Sequence, residues 1–226
     1  MLFLGFWSLF MILFSMTLMF ITFNNKIAVI CASKIWAPVV LWVFGVKLEV
    51  NGLEKVKPGD IHIVMSNHSS YLDIPVLFSL LPYNLYFIAK KELEKVPFLG
   101  FYMNRVGMIF IDRGNNQAAR ESMEQAGEII RNGKCVVIFP EGTSKAGAEI
   151  GPFKKGGFFL TQNAKVPILP IRIKGTSSIW PSHNNLNLNK GNVEVYIGDP
   201  IDNFPKNKEE VDELTNKVRE TIINLG

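Results

Sequence analysis

The sequence predicts an α/β fold with a mostly parallel or mixed central sheet, flanked by helices and preceded by an N-terminal two-helix hairpin that anchors the chain in a membrane. Strand-like and helix-like patterns alternate from residue 47 onward, which is typical of such a fold. Before that point the chain holds only two charged residues, Lys26 and Lys34, whereas all 20 acidic residues follow it. We therefore expect an apolar hairpin at 1–46 and an α/β domain at 47–226.

The first apolar run covers residues 2–23 and contains no charge. As a helix it would be about 33 Å long, which is enough to cross a hydrocarbon core of ~30 Å. It is too long for the apolar part of a signal peptide and ends without a small-residue cleavage site. We therefore interpret this run as a membrane helix.

A second apolar run at 27–46 follows a turn predicted at Asn24-Asn25 and contains Lys34 and Pro38. A lysine at the bilayer centre costs about 3 kcal/mol, whereas a lysine on a helix near the interface can extend its ammonium group into water. This favours a hairpin embedded in one leaflet. A first helix that spans the membrane is the alternative, and packing of both helices inside a soluble protein is a third interpretation.

The elements of the α/β domain follow from apolar periodicity and from turn residues. Strands are predicted at 48–50, 61–66, 85–90, 107–111, 135–139, 168–173 and 193–197. Helices are predicted at 74–81, 115–132, 158–164 and from about 208 to the end, with a short helix or turn at 97–102. The run at 135–139 is apolar throughout, as expected of a central strand. Pro170 predicts an edge strand or a bulge.

Composition excludes several classes of function. The 22 basic and 20 acidic residues after position 46 leave the domain a net charge of only +2, so the pI near 9.0 does not indicate a nucleic-acid partner. Two cysteines, Cys31 and Cys135, provide neither a disulfide framework nor a zinc site. We expect no metal.

A histidine and a carboxylate, His68 and Asp73, lie five positions apart where the strand at 61–66 meets the helix at 74–81. On a regular helix, side chains five residues apart point about 140° away from each other. The two side chains therefore meet only if the chain bends between them. A His-Asp pair supports general base catalysis, because the carboxylate orients the imidazole. The alternatives are a structural histidine and an aspartate that caps the helix.

Three further stretches end or interrupt predicted strands, and sites in open α/β sheets form just beyond the carboxyl ends of strands. Together with the first stretch they form four ordered blocks: Asn67–Asp73, Gly107–Arg113, Phe139–Thr143 and Val166–Pro170. We expect three of the four to converge on one crevice. No G-x-S-x-G nucleophile motif is present, which disfavours a serine nucleophile.

These blocks resemble the N-H-x4-D, G-x-x-F-I-x-R, F-P-E-G-T-R-S and V-P-I-x-P blocks of the glycerolipid acyltransferases, specifically the 1-acyl-glycerol-3-phosphate acyltransferases. The resemblance covers about 105 residues of the α/β domain, and bacterial members of that family also begin with an apolar helical pair. One departure concerns Ser144-Lys145, which stand where the family usually has Arg-Ser. Lysine lacks the planar fork of arginine, so the sequence does not decide the identity of the acceptor headgroup.

The resemblance implies a fatty acyl transfer from a thioester donor, acyl-CoA or acyl carrier protein, to the sn-2 hydroxyl of lysophosphatidic acid. His68 would act as the general base and Asp73 would orient it. No resident cofactor is implied, because the thioester is a co-substrate. The enzyme would be anchored in the cell (inner) membrane by its hairpin, with the catalytic domain facing the cytoplasm.

The same resemblance suggests substrate-binding residues. Arg113 is the leading choice for a cation that holds the acceptor phosphate, with Lys90 and Lys145 as additions. Glu141 is expected to accept hydrogen bonds from the glycerol or from the loop around the pocket. Backbone N–H groups of Glu141, Gly142 and Thr143, or those at the helix start, are candidates to stabilise the oxyanion.

Several other functions stay open at this point. The acceptor could be glycerol-3-phosphate or another lysolipid. A hydrolase that uses the same histidine is a second class of enzyme. A non-catalytic membrane lipid-binding protein is a third class, and it would not require His68, Asp73 and Arg113 together.

Overall fold

In the computed structural model the chain folds around one central sheet, and the structure describes residues 2–112, 114, 116–144, 147, 149–181 and 189–226. Within these ranges the strands are β1 (Val46–Asn51), β2 (Ile63–Ser66), β3 (Leu85–Lys90), β4 (Ile109–Ile111), β5 (Cys135–Ile138), β6 (Ile168–Lys174) and β7 (Gly191–Ile197). They form one sheet in the order β1-β7-β6-β2-β5-β3-β4.

Strand direction makes the sheet mixed, as predicted. The strands β6, β2, β5, β3 and β4 run parallel to one another, while β7 is antiparallel to β6 and β1 is antiparallel to β6 as well, because it pairs parallel to β7. All four residues of β5 are buried, which confirms the prediction of a central strand. Because the five parallel strands point the same way, their carboxyl ends lie along one edge of the sheet.

The two N-terminal apolar runs form the predicted helical hairpin. Its first arm is α1 (Leu2–Thr22), and its second arm is α2 (Lys26–Cys31), a π-helical turn (Ala32–Trp36) and α3 (Ala37–Val43). The Trp36 indole donates to Ser8 Oγ at 3.1 Å and thereby ties the two arms together. Both arms are long and apolar enough to cross a membrane.

The second arm of the hairpin also packs against the α/β domain. The helix α3 contacts α4 (Asp73–Leu80), and the Trp36 ring meets the Phe78 ring edge-on at 6.2 Å. The Phe44 ring stacks on Trp180 at 4.9 Å. Val40 and Leu41 belong to the same buried apolar cluster as the sheet. The boundary predicted after residue 46 therefore separates two segments that share one core.

The remaining helices cover the sheet or connect its strands. They are α5 (Leu99–Val106), α6 (Asn116–Arg131), α7 (Phe159–Ala164), α8 (Thr176–Ile179) and α9 (Lys208–Asn224). The segment predicted as a short helix or turn at 97–102 is α5, which ends at Gly107 in the left-handed conformation with φ of 92°. Because that glycine terminates the helix, β4 begins two residues later than predicted.

Pro170 does not lie on an edge strand, so that part of its prediction is wrong. Its strand, β6, is interior, between β7 and β2. The pairing of β6 with the β7 side shifts by one residue, from Ile171 opposite Ile197 to Ile168 opposite Ile201. The Pro170 carbonyl accepts the Gly198 N–H at this shift, at 2.9 Å. The missing N–H of proline is tolerated because it faces the irregular pairing and leaves the β2 side intact.

Candidate active site

The loop between β2 and α4 brings His68 and Asp73 together. The His68 Nδ1 atom lies 2.8 Å from Asp73 Oδ2. The chain bends between them because the Ser70 hydroxyl accepts the Leu72 N–H at 3.0 Å and the Ser70 carbonyl accepts the Asp73 N–H at 3.3 Å. This serine turn supplies the bend that a spacing of five residues requires.

The Asp73 carboxylate is fully buried, and both of its oxygens accept hydrogen bonds. Besides His68, Oδ2 accepts the backbone N–H groups of Ser69 at 2.8 Å and Ser70 at 2.9 Å. The other oxygen, Oδ1, accepts the Thr176 hydroxyl at 2.6 Å. A buried charge is tolerated when it is hydrogen-bonded in this way.

Asp73 is not the cap of α4, so the alternative prediction of a capping role is wrong. The N-cap is Leu72, and it makes no side-chain capping bond. Asp73 is the first helical residue, and its carboxylate turns back to the loop before the helix instead of reaching the N–H groups of the first turn. Its role is to organise the loop that carries His68.

The His68 ring is held on one face as well as at Nδ1. It stacks on the Phe139 ring with centroids 4.0 Å apart and planes at 16°. The second ring nitrogen, Nε2, makes no hydrogen bond to any described residue. An imidazole whose Nδ1 contacts a carboxylate and whose Nε2 is unengaged has the arrangement that a general base needs.

Glu141 follows β5 and connects two loops through its carboxylate. Its Oε1 accepts the backbone N–H of His68 at 2.9 Å, and its Oε2 accepts the backbone N–H of Gly151 at 2.9 Å. The Arg219 guanidinium of α9 donates to the Ile150 and Gly151 carbonyls. Of the two roles predicted for Glu141, the geometry fits acceptance from the surrounding loops.

The backbone at Gly142 and Thr143 forms a tight turn beside the same carboxylate. The Gly142 N–H donates to the Phe139 carbonyl at 3.0 Å, and its φ of 75° suits glycine. The Lys154 side chain crosses this turn so closely that a Cβ at position 142 would lie 2.9 Å from it. Lys154 therefore brings a cation to the turn.

Of the three cations predicted to hold the acceptor phosphate, the structure describes only Lys90. Lys90 ends β3, next to β5 in the sheet, and its ammonium lies 2.9 Å from Glu92 Oε1. Arg113 and Lys145 lie outside the described residues. Of the four blocks, the first and third meet at the carboxyl edge of the sheet.

The fourth block lies at the opposite edge. Its Pro167 carbonyl accepts the Ile63 N–H at 3.0 Å, where β2 and β6 both begin. The segment after β6, which includes Thr176, therefore lies beside Asp73, whereas the fourth block at the start of β6 does not.

Sequence reasoning missed Thr176 and the role of Asn67. Thr176 begins the short helix after β6, and the Asn67 side chain exchanges two hydrogen bonds with the Ile173 backbone, at 2.8 and 2.9 Å. Asn67 thereby continues the pairing of β2 with β6 past the end of β2. The available signal was the Gly175-Thr176 pair, which follows a strand just as His68 does.

Buried titratable groups also occur at the amino edge of the sheet. The backbone N–H of His62 donates to Cys135 Sγ at 3.4 Å. Burial lowers the pKa of His62, and the charges of Asp60 and Asp202 partly offset that decrease. Burial raises the pKa of the Cys135 thiol to about 11. Such a thiol stays protonated and is a poor nucleophile. Within the described part of the chain, no group of three or more His, Cys, Asp or Glu side chains could hold a metal ion.

Comparison with known proteins identifies the family. The model of the family described as Acyltransferase matches residues 47–174, which is more than half of the chain. The chain belongs to the acyltransferase family.

This acyltransferase-family chain is similar to several curated proteins. A Brassica napus protein named 1-acyl-sn-glycerol-3-phosphate acyltransferase BAT2, chloroplastic, is 34% identical over 191 residues, covering 84% of this chain and 55% of that protein. A Saccharomyces cerevisiae 1-acyl-sn-glycerol-3-phosphate acyltransferase is 34% identical over 187 residues, covering 80% and 60%. The chain thus spans a little over half the length of these relatives.

A solved structure resembles this acyltransferase-family chain over nearly its full length. It is the crystal structure of the 1-acyl-sn-glycerophosphate (LPA) acyltransferase PlsC from Thermotoga maritima. The TM-score is 0.79 at 26% identity, with 98% of this chain and 92% of the other covered. The fold predicted from the sequence is therefore confirmed.

Proposed function

We propose that this chain transfers a fatty acyl group from a thioester donor to the sn-2 hydroxyl of lysophosphatidic acid, forming phosphatidic acid. The observation that carries the proposal is the 2.8 Å contact between His68 Nδ1 and the buried Asp73 carboxylate, at the carboxyl edge of the sheet. The names of the relatives and of the structural neighbour support the choice of acceptor.

In the proposed reaction His68 Nε2 takes the proton of the acceptor hydroxyl. The oxygen then attacks the thioester carbonyl carbon and forms a C–O bond, giving a tetrahedral oxyanion. When the oxyanion collapses, the C–S bond breaks, and the leaving thiolate takes the proton from His68. The histidine returns to its neutral form, and it forms no covalent intermediate.

Asp73 stabilises the imidazolium that forms during the reaction. Its oxygens are held by the Ser69 and Ser70 N–H groups and by the Thr176 hydroxyl, so the carboxylate does not need to reorient when the charge develops. Preorganisation of this kind lowers the barrier because no reorganisation accompanies the step.

The oxyanion requires a hydrogen-bond donor near the carbonyl carbon. The Gly142 N–H is taken by the Phe139 carbonyl, and the N–H groups of Ser69 and Ser70 are taken by Asp73. Of the donors predicted from the sequence, the backbone N–H groups of Glu141 and Thr143 make no hydrogen bond to a described residue. We assign the oxyanion to these two groups.

The acceptor phosphate requires a fixed positive charge. Arg113 remains the leading choice, with Lys90 and Lys145 as additions. Lys154 joins them because its side chain lies across Gly142, beside the Glu141 and Thr143 positions. The neighbouring Lys155 ammonium lies 2.6 Å from Asp212 and is less available.

The hairpin would hold the crevice against the leaflet in which the acceptor resides. Its second arm packs on α4, the helix that Asp73 begins, so the anchor and the base share a contact surface. We place the hairpin in one leaflet of the cell (inner) membrane, with the α/β domain facing the cytoplasm. Soluble donors, acyl-CoA or acyl carrier protein, would then reach the crevice from the aqueous side.

The direct test reconstitutes the full chain in vesicles with lysophosphatidic acid and labelled acyl-CoA, or labelled acyl carrier protein. We expect phosphatidic acid from the wild type and none above background from His68→Ala. Equal yields from both proteins would exclude His68 as the base. Faster acylation of glycerol-3-phosphate or of a neutral lysolipid would change the acceptor, and release of free fatty acid without acceptor would indicate a hydrolase.

A further inference from the structure

A second apolar surface lies outside the hairpin. Among the described residues after position 46, seven large apolar side chains are exposed, and four of these lie in one short segment. We call them the 93–101 patch: Leu93, Val96, Phe98 and Phe101. The two phenylalanines are 58% and 62% exposed. Single exposed apolar residues are common on protein surfaces, whereas a cluster of them indicates an interaction site.

The backbone around the patch keeps these side chains outside. The Leu99 N–H donates to the Pro97 carbonyl at 2.6 Å, which closes a tight turn at Phe98, where φ is 61°. Gly100 then lets α5 approach the preceding turn so closely that a Cβ there would lie 2.0 Å from the Glu94 carbonyl oxygen. This close packing leaves the patch side chains little room to turn toward the protein interior.

The patch is continuous with the hairpin. The Tyr102 hydroxyl, one residue after Phe101, donates to the Ala28 carbonyl of α2 at 3.3 Å. The helix α5 contacts both α1 and α2. Phe20 and Phe23, at the adjoining turn of the hairpin, are 77% and 90% exposed. Apolar side chains thus extend from the hairpin turn onto the α/β domain.

Charge around the patch indicates the partner. Residues 90–105 hold four basic and two acidic side chains. Lys95 and Arg105 are exposed and have no ion-pair partner among the residues that the structure describes. Exposed aromatic side chains bordered by unpaired cations suit an anionic bilayer surface, whereas a second copy of the same positive surface would be repelled.

We propose that the 93–101 patch is a second membrane contact, which inserts into the interface of a bilayer that contains anionic phospholipid. This inference rests on the membrane anchoring that forms part of the proposed function. The patch extends the apolar surface of the hairpin onto the α/β domain, so its insertion widens the membrane contact and limits tilting of the domain. The patch thereby holds the His68 edge of the sheet at a constant angle to the leaflet.

The test measures the depth of single nitroxide labels on the full chain in vesicles of phosphatidylcholine with phosphatidylglycerol. Labels are attached at Phe98→Cys and Phe101→Cys, with Phe14→Cys in the hairpin as the inserted reference. Phe159→Cys, on α7, is the matched control because Phe159 is also an exposed phenylalanine. The native Cys31 and Cys135 are buried, which favours labelling at the introduced sites.

We expect the labels at 98 and 101 to collide with dissolved oxygen and to be shielded from a water-soluble nickel chelate, as at position 14. The label at 159 should show the opposite pattern. If the labels at 98 and 101 are open to the chelate while the one at 14 is shielded, the second contact is excluded and the hairpin anchor stands. If the label at 14 is open as well, anchoring itself fails and the second contact fails with it.

A functional comparison separates this contact from the chemistry. The double variant Phe98→Ser/Phe101→Ser should acylate a detergent-solubilised acceptor at the wild-type rate. On an acceptor embedded in vesicles the double variant should be about tenfold slower. Two aromatic side chains inserted into the bilayer contribute at least about one order of magnitude to the affinity for the membrane. Phe159→Ser should match the wild type in both assays. Equal rates for the double variant and the wild type on vesicles would overturn the proposal.

Discussion

Both oxygens of the Asp73 carboxylate accept hydrogen bonds. Its Oδ2 contacts His68 and the N–H groups of Ser69 and Ser70, and its Oδ1 contacts Thr176. The carboxylate therefore organises the loop and orients the His68 imidazole at the same time. Substitutions that keep its shape should separate these two contributions.

The Asp73→Asn variant keeps the size of the side chain but replaces one acceptor oxygen with an N–H donor. We expect kcat to fall by about 10²- to 10⁴-fold, the range for loss of general acid–base function, with a small change in acceptor KM. Steady-state kinetics and circular dichroism of the folded variant check this. A folded variant with wild-type kcat would show that the carboxylate is not needed to orient His68.

Thr176→Val removes the single side-chain donor to Asp73 Oδ1 without changing the shape of residue 176. Hydrogen bonds to charged groups contribute about 1.5–3 kcal/mol, so kcat should fall by roughly 10- to 100-fold. The pH profile of kcat/KM should shift with it, and Thr176→Ser should restore both quantities. Loss of thermal stability with an unchanged pH profile would limit Thr176 to a structural role.

Glu141→Gln distinguishes a positioning role from contact with substrate. Glutamine can accept from only one of the two N–H groups that now donate to Glu141, those of His68 and Gly151. We expect kcat to fall by at least about tenfold while the acceptor KM stays near the wild-type value, as for an interaction that acts on the base. A rise in acceptor KM at constant kcat would place Glu141 on the substrate instead.

At the scale of elements, local pattern predicts the strands well and their neighbours poorly. The loop of His68 and Asp73 could be recognised because both residues lie within one strand-to-helix connection. Thr176 and Glu141 could not be connected to that loop, since they are 103 and 73 residues away from their partners. Those contacts follow from the order β6-β2-β5, which apolar periodicity does not specify.

Pro170 illustrates the same limit. Proline disfavours the centre of a regular sheet, and that rule predicts an edge. The register shift opposite Gly198 lets the residue occupy an interior strand. Only the half of the prediction that named a bulge agrees with this irregular pairing.

Gly100 is required by the close packing of α5 on the preceding turn. In Gly100→Ala the new Cβ would lie 2.0 Å from the Glu94 carbonyl oxygen, so the backbone must move. We expect the free energy of unfolding to fall by about 1–3 kcal/mol, as for overpacking. Gly156→Ala is the matched control, because a Cβ at 156 meets nothing within 4 Å. Equal midpoints of unfolding for both variants would contradict the close packing.

At the scale of the whole molecule, the hairpin and the α/β domain are less separable than composition suggests. The change in charge after residue 46 is visible in the sequence, whereas the packing of Val40 and Leu41 into the shared core is not. Removal of residues 1–46 would expose that core, so such a deletion would alter folding as well as membrane attachment. Labels placed along the intact chain are the better measure of anchoring.

Stability should decline in mild acid because His62 is buried. Its pKa is lowered in the folded chain, so the unfolded chain binds more protons and stability rises with pH. The contribution is complete above the unfolded pKa of about 6.5 and is lost as the pH falls below it, by at most about 1.4 kcal/mol per pH unit. The free energy of unfolding, measured from pH 7.5 to 5, should decline less steeply for His62→Leu than for the wild type. Parallel curves would exclude His62 as the cause.

The stacking of His68 on Phe139 bears on regiochemistry. With one ring face against Phe139 and Nδ1 held by Asp73, the in-plane lone pair of Nε2 points along a single line. If a fixed cation holds the acceptor phosphate, the distance from that cation to the imidazole limits which carbon can bring a hydroxyl onto that line. Lysophosphatidic acid has one free hydroxyl, so this distance would select between its 1-acyl and 2-acyl isomers, whose free oxygens lie at different distances from the phosphate.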